Sequence, residues 1–430
     1  MIQLDIDHNE IERRKQFYRD LFDYRPVDHI PIFIWMMGFN GEGALATDYT
    51  LRGELESTEV QFQVNVEAIG RCLRTVPDDY IPTVRITQGY MTIATLFGMD
   101  VYWSSDPNQP PGTDGCVIGD LEQVYSLRRP TMDDGIMPEN MRRLRYFVDN
   151  LPPDVYLTGI DIGGPLNTLK DLLDTNLLYT GFYDNPQAMH HLLDMVTDVQ
   201  IEVCHKQLEV VNGDINRFAG IDFDPLWHPE KYKSFVSDDV CATIGPELFR
   251  EFALPYNSRI LAQWGPGGLH SCGPNPCKHL YTAHTPKVKY LNCSHRYTQH
   301  EYPAFREVFS GWGLLEPMFD NSETPEEMLA AFRGMMDSLA PDVVAIPYCI
   351  VDNTWSDSDI TSFYWDMRQI GQEYAQNMRW FNREQGVGSR EGEEGKGERG
   401  EEGIGENGSS SPLALFPYSP LAPRSLLLAP

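Results

Sequence analysis

Between residues 9 and 24 charged and apolar side chains alternate at the three- and four-residue spacing of a helix. Pro26 and Pro31 close that segment, and 30–36 is a compact apolar run that predicts a first buried strand. The alternation then repeats. Apolar runs at 155–160, 215–223, 267–272, 288–293, 308–315 and 343–349 each predict a strand. Between them lie amphipathic stretches at 186–203, 246–263 and 325–339, opened by Pro186, Pro246 and Pro325 at a first helical turn. Strands alternating with helices imply a parallel sheet, and about eight such units imply a closed (β/α)8 barrel, the TIM barrel of the α/β class. An open doubly wound sheet is the alternative, but no Gly-x-Gly-x-x-Gly follows the first strand. Residues 75–135, rich in Pro, Asp and Gly, read as one irregular strand plus a long excursion over the barrel mouth.

Past residue 383 the periodicity stops. A Gly/Glu/Lys/Arg run and then a Ser/Pro/Leu-rich stretch cannot repay the cost of ordering their backbone. The expectation is one folded unit over 1–383 and a disordered tail over 384–430. Residues 384–408 hold eight Glu against two Arg and one Lys, so most of the net charge of -29 belongs to the folded body. That charge argues against nucleic acid and anionic membrane as partners. The N-terminal residues lack a basic then apolar leader, and no run of 18 apolar residues occurs. Eight cysteines spread through a large chain favour a reducing, cytoplasmic setting with free or metal-bound thiols.

A barrel of this kind carries its chemistry at the C-terminal ends of its strands. Those ends supply Asp161 with Gly163-Gly164-Pro165, then Asp222 and Asp224, followed by a loop bearing Ser237-Asp238-Asp239. Next come His270 and Cys272, Cys293 with His295 and Arg296, Glu316, and Cys349 with Asp352. His270 and Cys272, two apart in a strand, face the same way. Imidazole and thiolate are zinc donors, and Cys349 is the expected third ligand, with Cys293 as its rival. Three protein ligands and one open position make a catalytic zinc site, whereas a lone buried cysteine is more often core. Asp238 and Asp239 are paired carboxylates fit for orienting a substrate or for acid–base work, or else a capped acidic loop. Glu316 is a candidate fourth ligand or base. Gly163, Gly164 and Asp222 are the positions expected to meet a bound cofactor or substrate, and Gly163-Gly164-Pro165 reads equally as a helix start.

Several of these segments resemble a known family. Glu12-Arg-Arg-Lys with Arg25-Pro-Val-Asp28-His-Ile-Pro31, Gly163-Gly-Pro-Leu-Asn-Thr and Asp184-Asn-Pro-Gln-Ala-Met are similar to the uroporphyrinogen decarboxylase-like superfamily. The densest resemblance is Asp238-Asp-Val-Cys-Ala-Thr-Ile-Gly-Pro-Glu-Leu-Phe-Arg, followed by Leu269-His-Ser-Cys-Gly273. Within the superfamily the chain is most similar to the zinc-dependent corrinoid methyltransferases. The resemblance covers about residues 10–380 and implies a barrel with zinc held by a His-x-Cys pair and a distant cysteine. His270 and Cys272 fall on the pair, and Cys349 is the best match for the third ligand.

The chain departs from true uroporphyrinogen decarboxylases at 33–40, Phe-Ile-Trp-Met-Met-Gly-Phe-Asn, where those enzymes carry arginines that hold substrate carboxylates. An acidic mouth short of arginine repels a polycarboxylate. The resemblance therefore implies methyl transfer from a methylated corrinoid to a small-molecule thiol or similar acceptor. No Asp-x-His-x-x-Gly segment for cobalamin occurs, so the corrinoid would arrive on a partner protein or free. The alternatives are a cofactor-free decarboxylase using Asp238 or Asp239 with Arg296, and a non-catalytic corrinoid- or metal-binding protein.

Overall fold

The computed structural model describes residues 4–36, 50–320, 322–352 and 354–381. The tail expected to be disordered, and the last residues of the arginine-free segment at 33–40, lie outside that set. The strands in chain order are β1 Phe33–Met36, β2 Thr83–Val84, β3 Val101–Tyr102, β4 Gly112–Thr113, β5 Tyr156–Leu157 and β6 Ser234–Ser237. They continue as β7 Gly267–Ser271, β8 Tyr290–Ser294, β9 Leu314–Phe319, β10 Val344–Ala345 and β11 Tyr348–Val351.

Parallel ladders join β6, β7, β8, β9, β11 and β1 in that order, with β10 also on β9. β2 pairs β5 in parallel, and Leu157 bridges Phe218. The segment 218–222 then reaches the main sheet, because Ile221 N–H donates to Lys233 C=O at 2.9 Å. The result is a curled parallel sheet wrapped in helices. Among the described residues no ladder joins β1 to β2, so the expected ring of strands is not closed by backbone pairing. A side chain crosses that seam instead: buried Asp79 accepts from the Ile32 N–H at 2.9 Å and from His29 Nε2 at 2.6 Å.

The helices start where their sequence says they should. Asp7 caps His8–Phe22 by accepting from Asn9 and Glu10 N–H groups, and Pro325–Leu339 opens with a Thr324/Glu327 capping box. Three expectations shift. The run at 215–223 opens in a short helix, Ile215–Arg217, and makes a single bridge at Phe218 in place of a ladder. The run at 308–315 divides into the end of a helix, Tyr302–Phe309, a turn at Gly311, and β9. Glu316 therefore sits within a strand and not at its end. The run 343–349 is interrupted at Pro347, which cannot donate to a ladder, leaving β10 and β11. The excursion at 75–135 holds β2, a short helix Thr92–Leu96 and the antiparallel β3–β4 pair.

The inside of the curl is packed with aromatics. A Cβ on Gly268 would fall 2.1 Å from the Tyr290 ring, so only glycine lets that ring lie against β7. Tyr290 stacks in turn on His228, with ring centroids 4.1 Å apart.

At the opposite end from the strand C-termini, Lys289 is buried before β8, donating to Trp312 C=O and lying over the Tyr24 ring at 5.2 Å. Burial pulls its pKa from 10.5 down to about 7. Between those values the unfolded chain binds a proton that the native chain does not, so this group's contribution to stability rises with pH. Lys289→Met should remove that dependence. Urea unfolding at pH 7 and pH 10 should show the variant's relative advantage shrinking by up to about 1.4 kcal/mol per pH unit.

Candidate metal centre

β6, β7 and β8 bring the chemistry-bearing residues into rows. The ladder places Ser237, His270, Asn292 and Glu316 side by side on one face of the sheet. One step along, Ser271, Cys293 and Pro317 form a row on the opposite face. Cys349 pairs Phe319 and Ile34, which by alternation also belongs to that opposite face.

His270 is buried with both ring nitrogens engaged. Nδ1 lies 2.6 Å from Asn292 Oδ1, and Nε2 lies 2.9 Å from Cys272 Sγ. With Nδ1 as the donor to the Asn292 carbonyl, Nε2 is left with a lone pair directed at Cys272. Asp239 completes the group. Its Oδ1 accepts from the Cys272 backbone N–H at 2.8 Å and lies 3.6 Å from His270 Nε2. Its Oδ2 accepts from Asn167 Nδ2 at 3.1 Å and from Ser237 Oγ at 3.4 Å. Asn167 returns the grip, its Oδ1 accepting from Asp239 N–H at 2.9 Å and Val240 N–H at 3.1 Å. Burial pushes the Cys272 thiol well above its usual range, with the charges of Asp239 and Cys293 adding to it. A buried thiol so disfavoured as a thiolate is the kind that a cation stabilises.

One donor atom from each of Asp239, His270 and Cys272 lies within 4.8 Å of the others. Imidazole nitrogen, thiolate sulfur and carboxylate oxygen are all zinc donors, so the residues present fit a zinc ion. Cys349 and Cys293 are not in this group. Cys293 accepts from Thr298 Oγ1 at 3.5 Å on the helix-facing side, and Cys349 is fully buried there.

The other predicted positions separate by role. Asp238 is buried and turned from Asp239, accepting from Asn257 Nδ2 at 2.7 Å. Burial, opposed by that bond, pushes it up to about 7. Gly164 is a packing position: a Cβ there would lie 1.6 Å from Ser237 C=O, so glycine lets Pro165–Leu172 start against the end of β6. Gly163 has φ +60, and a Cβ there would meet only Asn167 Cβ at an ordinary contact of 3.8 Å. Asp222 clamps backbone, accepting from Ile162 N–H at 3.1 Å and Phe223 N–H at 2.9 Å. Arg296 faces Ser322 and Asp320, not Asp238.

Glu316 belongs to a second group, with Asp224 and His228, every member buried and one atom of each again within 4.8 Å. His228 Nε2 is 2.9 Å from Glu316 Oε1. Burial pushes Asp224 and Glu316 each up to about 8, with the Glu316 charge adding to the rise at Asp224. It drives His228 down to about 3.

Arg85, His228, Asn167 and Asn292 were not marked by the sequence reading. The signal for Asn292 was present: a lone amide in the apolar run Tyr290-Leu-Asn-Cys293. Arg85 lies 3.6 Å from buried Asp161, with its guanidinium over the Trp35 and Phe223 rings. Burial, opposed by Arg85, holds Asp161 at about 6.

No helix among the described residues is long and apolar enough to cross a membrane. A search of the curated proteins finds no match. Among solved structures, a methyltransferase from Methanosarcina mazei superposes with a TM-score of 0.59 at 14% identity, covering 83% of this chain and 98% of that one. A B12-independent methionine synthase from a Shewanella species gives 0.43 at 10% identity, over 82% and 97% of the two chains. Residues 19–212 match the sequence model of the family described as uroporphyrinogen decarboxylase (URO-D). Over those residues the chain is similar to the uroporphyrinogen decarboxylase family, and the first of the two structures shares its fold.

Proposed function

We propose that this chain is a zinc-dependent methyltransferase, with Asp239, His270 and Cys272 holding the ion. A thiol acceptor would take a methyl group from a methylated corrinoid, delivered free or on a corrinoid protein. The observation that carries this reading is the convergence of carboxylate, imidazole and thiol within 4.8 Å beside the C-terminal ends of β6 and β7. Three mixed donors, with a position left for substrate, match the layout of catalytic rather than structural zinc. When bound, zinc lowers the pKa of an incoming thiol so that the thiolate is present near neutral pH.

The chain's own residues supply the order of the site. Asn292 fixes the His270 ring, Asn167 and Ser237 hold Asp239, and Gly164 lets the Asp239 loop close against the helix behind it. Such a transfer would form a sulfur–carbon bond at the expense of the donor's cobalt–carbon bond. The thiol proton would leave to solvent, with the donor released at the cobalt(I) level.

The test combines metal analysis with methyl transfer from methylcobalamin to 2-mercaptoethanol, followed by loss of the methylcobalamin spectrum. One zinc tied to His270 and Cys272, with turnover that chelation abolishes, supports the reading. Zinc content unchanged in His270→Ala sinks it. Asn292→Ala should weaken zinc binding about 10- to 100-fold, because a ligating histidine depends on the partner at its other nitrogen.

Arg85 beside Asp161 favours a second reading, acid chemistry without a cofactor, since it places a cation inside an otherwise acidic curl. A decarboxylase would keep its activity in Cys272→Ala and under chelation. Metal or corrinoid binding without turnover would mark the chain as a binding protein.

A further inference from the structure

Asn292 separates the candidate zinc donors from the buried group behind them. It lies between His270 and Glu316 in the ladder row. Glu316 enters from mid-β9, while Asp224 and His228 come from the loop after 218–222, so the group ties opposite walls of the curl. All three side chains are fully buried or within 1% of it.

No protein donor reaches Asp224 Oδ2 or Glu316 Oε2. Asp224 Oδ1 accepts from Leu226 N–H at 3.0 Å, and Glu316 Oε1 meets His228. Among the described residues neither carboxyl forms an ion pair with Lys or Arg. The Tyr290 hydroxyl is an independent sign. It is buried without a hydrogen-bond partner, within electrostatic reach of Glu316 and Asp224, and its ring is stacked on His228. Buried polar atoms left unmatched are costly, and two facing carboxyl groups need a proton or a cation between them.

We propose that Asp224, His228 and Glu316 bind a second divalent cation of the first transition row inside the curl. The donors are one nitrogen and carboxylate oxygens with no sulfur, a set that suits zinc, manganese or iron(II). This differs from the first group, whose thiol marks it as the more sulfur-dependent site. The second ion would neutralise the carboxyls and pin β9 to the 224–228 loop. Glu316, and through it the Asn292 that orients His270, would then be held in place. The inference stands whether or not the first group proves catalytic.

The two sites can be told apart with cobalt(II) as the probe. Full-length protein stripped by a chelator and dialysed against cobalt(II) should take up two ions per chain. Cys272→Ala should keep one, without the near-ultraviolet band that a thiolate–cobalt bond produces. Glu316→Gln should also keep one, with that band intact, and Asp224→Asn should repeat this result should Glu316→Gln fold poorly by circular dichroism. Wild-type uptake of a single ion, accompanied by the thiolate band, would overturn the proposal and leave a shared proton between the carboxyls. Unchanged uptake in both carboxyl variants would overturn it equally. A missing thiolate band in wild type with one ion lost in Glu316→Gln would instead count against the methyltransferase reading alone.

Discussion

Cys272→Ala should give a folded protein that has lost its sulfur-bound metal and at least about three orders of magnitude of methyl-transfer rate, about 4 kcal/mol of transition-state stabilisation. The residue is small and sits just past the end of β7, so truncation leaves little void behind it. What it removes is the one thiol in a group otherwise made of Asp239 and His270. Two donors bind zinc far more weakly than three, and the remaining pair is the Asp–His contact of 3.6 Å. The backbone N–H of residue 272 still donates to Asp239, so the loop should keep its place. Stopped-flow spectra of methylcobalamin, run beside thermal melts, separate the two effects. A large loss of rate with an unchanged melt is the expected outcome. Wild-type rate in this variant would exclude Cys272 from the chemistry.

Gly164→Ala should be the costliest single-methyl addition near the site. Its Cβ would stand 1.6 Å from the Ser237 carbonyl oxygen and 2.8 Å from the carbonyl carbon, and a backbone group cannot rotate away. The Pro165–Leu172 helix and the end of β6 must separate, at a cost of about 3 kcal/mol or more. The strand end that would move carries Ser237 and leads into Asp239, so zinc affinity should fall together with stability. Gly163→Ala is the control. Its Cβ meets only Asn167 Cβ at 3.8 Å, and the positive φ alone costs about 1–2 kcal/mol. Urea unfolding of the two variants should show that ordering. The reverse ordering would mean that conformational strain, not the contact with Ser237, made glycine necessary.

The part of this architecture that local chemistry encodes was legible in the sequence. Proline-opened helices and long apolar runs marked the alternating units, and the two-residue spacing of His270 and Cys272 foretold their convergence at the end of β7. Strand β6 was hidden, because four residues between a polar loop and an acidic pair carry almost no periodicity. Once β6 exists, Asp239 is no longer on a remote loop but next to Cys272. The expectation for Cys349 shows a different limit. Which way a strand residue faces depends on register, and a shift of one residue moves it to the other face. Pro347 interrupts the last run, Tyr348 takes the position facing inward, and Cys349 is left on the helix side. Likewise the length of the helix before β9 decided that Glu316 sits deep in the curl, among Asp224 and His228. Neither outcome is written in the composition of its own segment.

The join between the first two strands has a mechanical meaning. Wherever neighbouring strands share a ladder, load is spread over several amide bonds, but between β1 and β2, among the described residues, the Asp79 carboxylate and the helix Thr58–Thr75 packed on both strands take that place. His270 lies within the continuous run of ladders from β6 to β1, and Asp239 and Cys272 follow directly from the ends of two of its strands. The strands that carry or lead into Asp239, His270 and Cys272 are thus held by amide ladders on the far side of the sheet from that join.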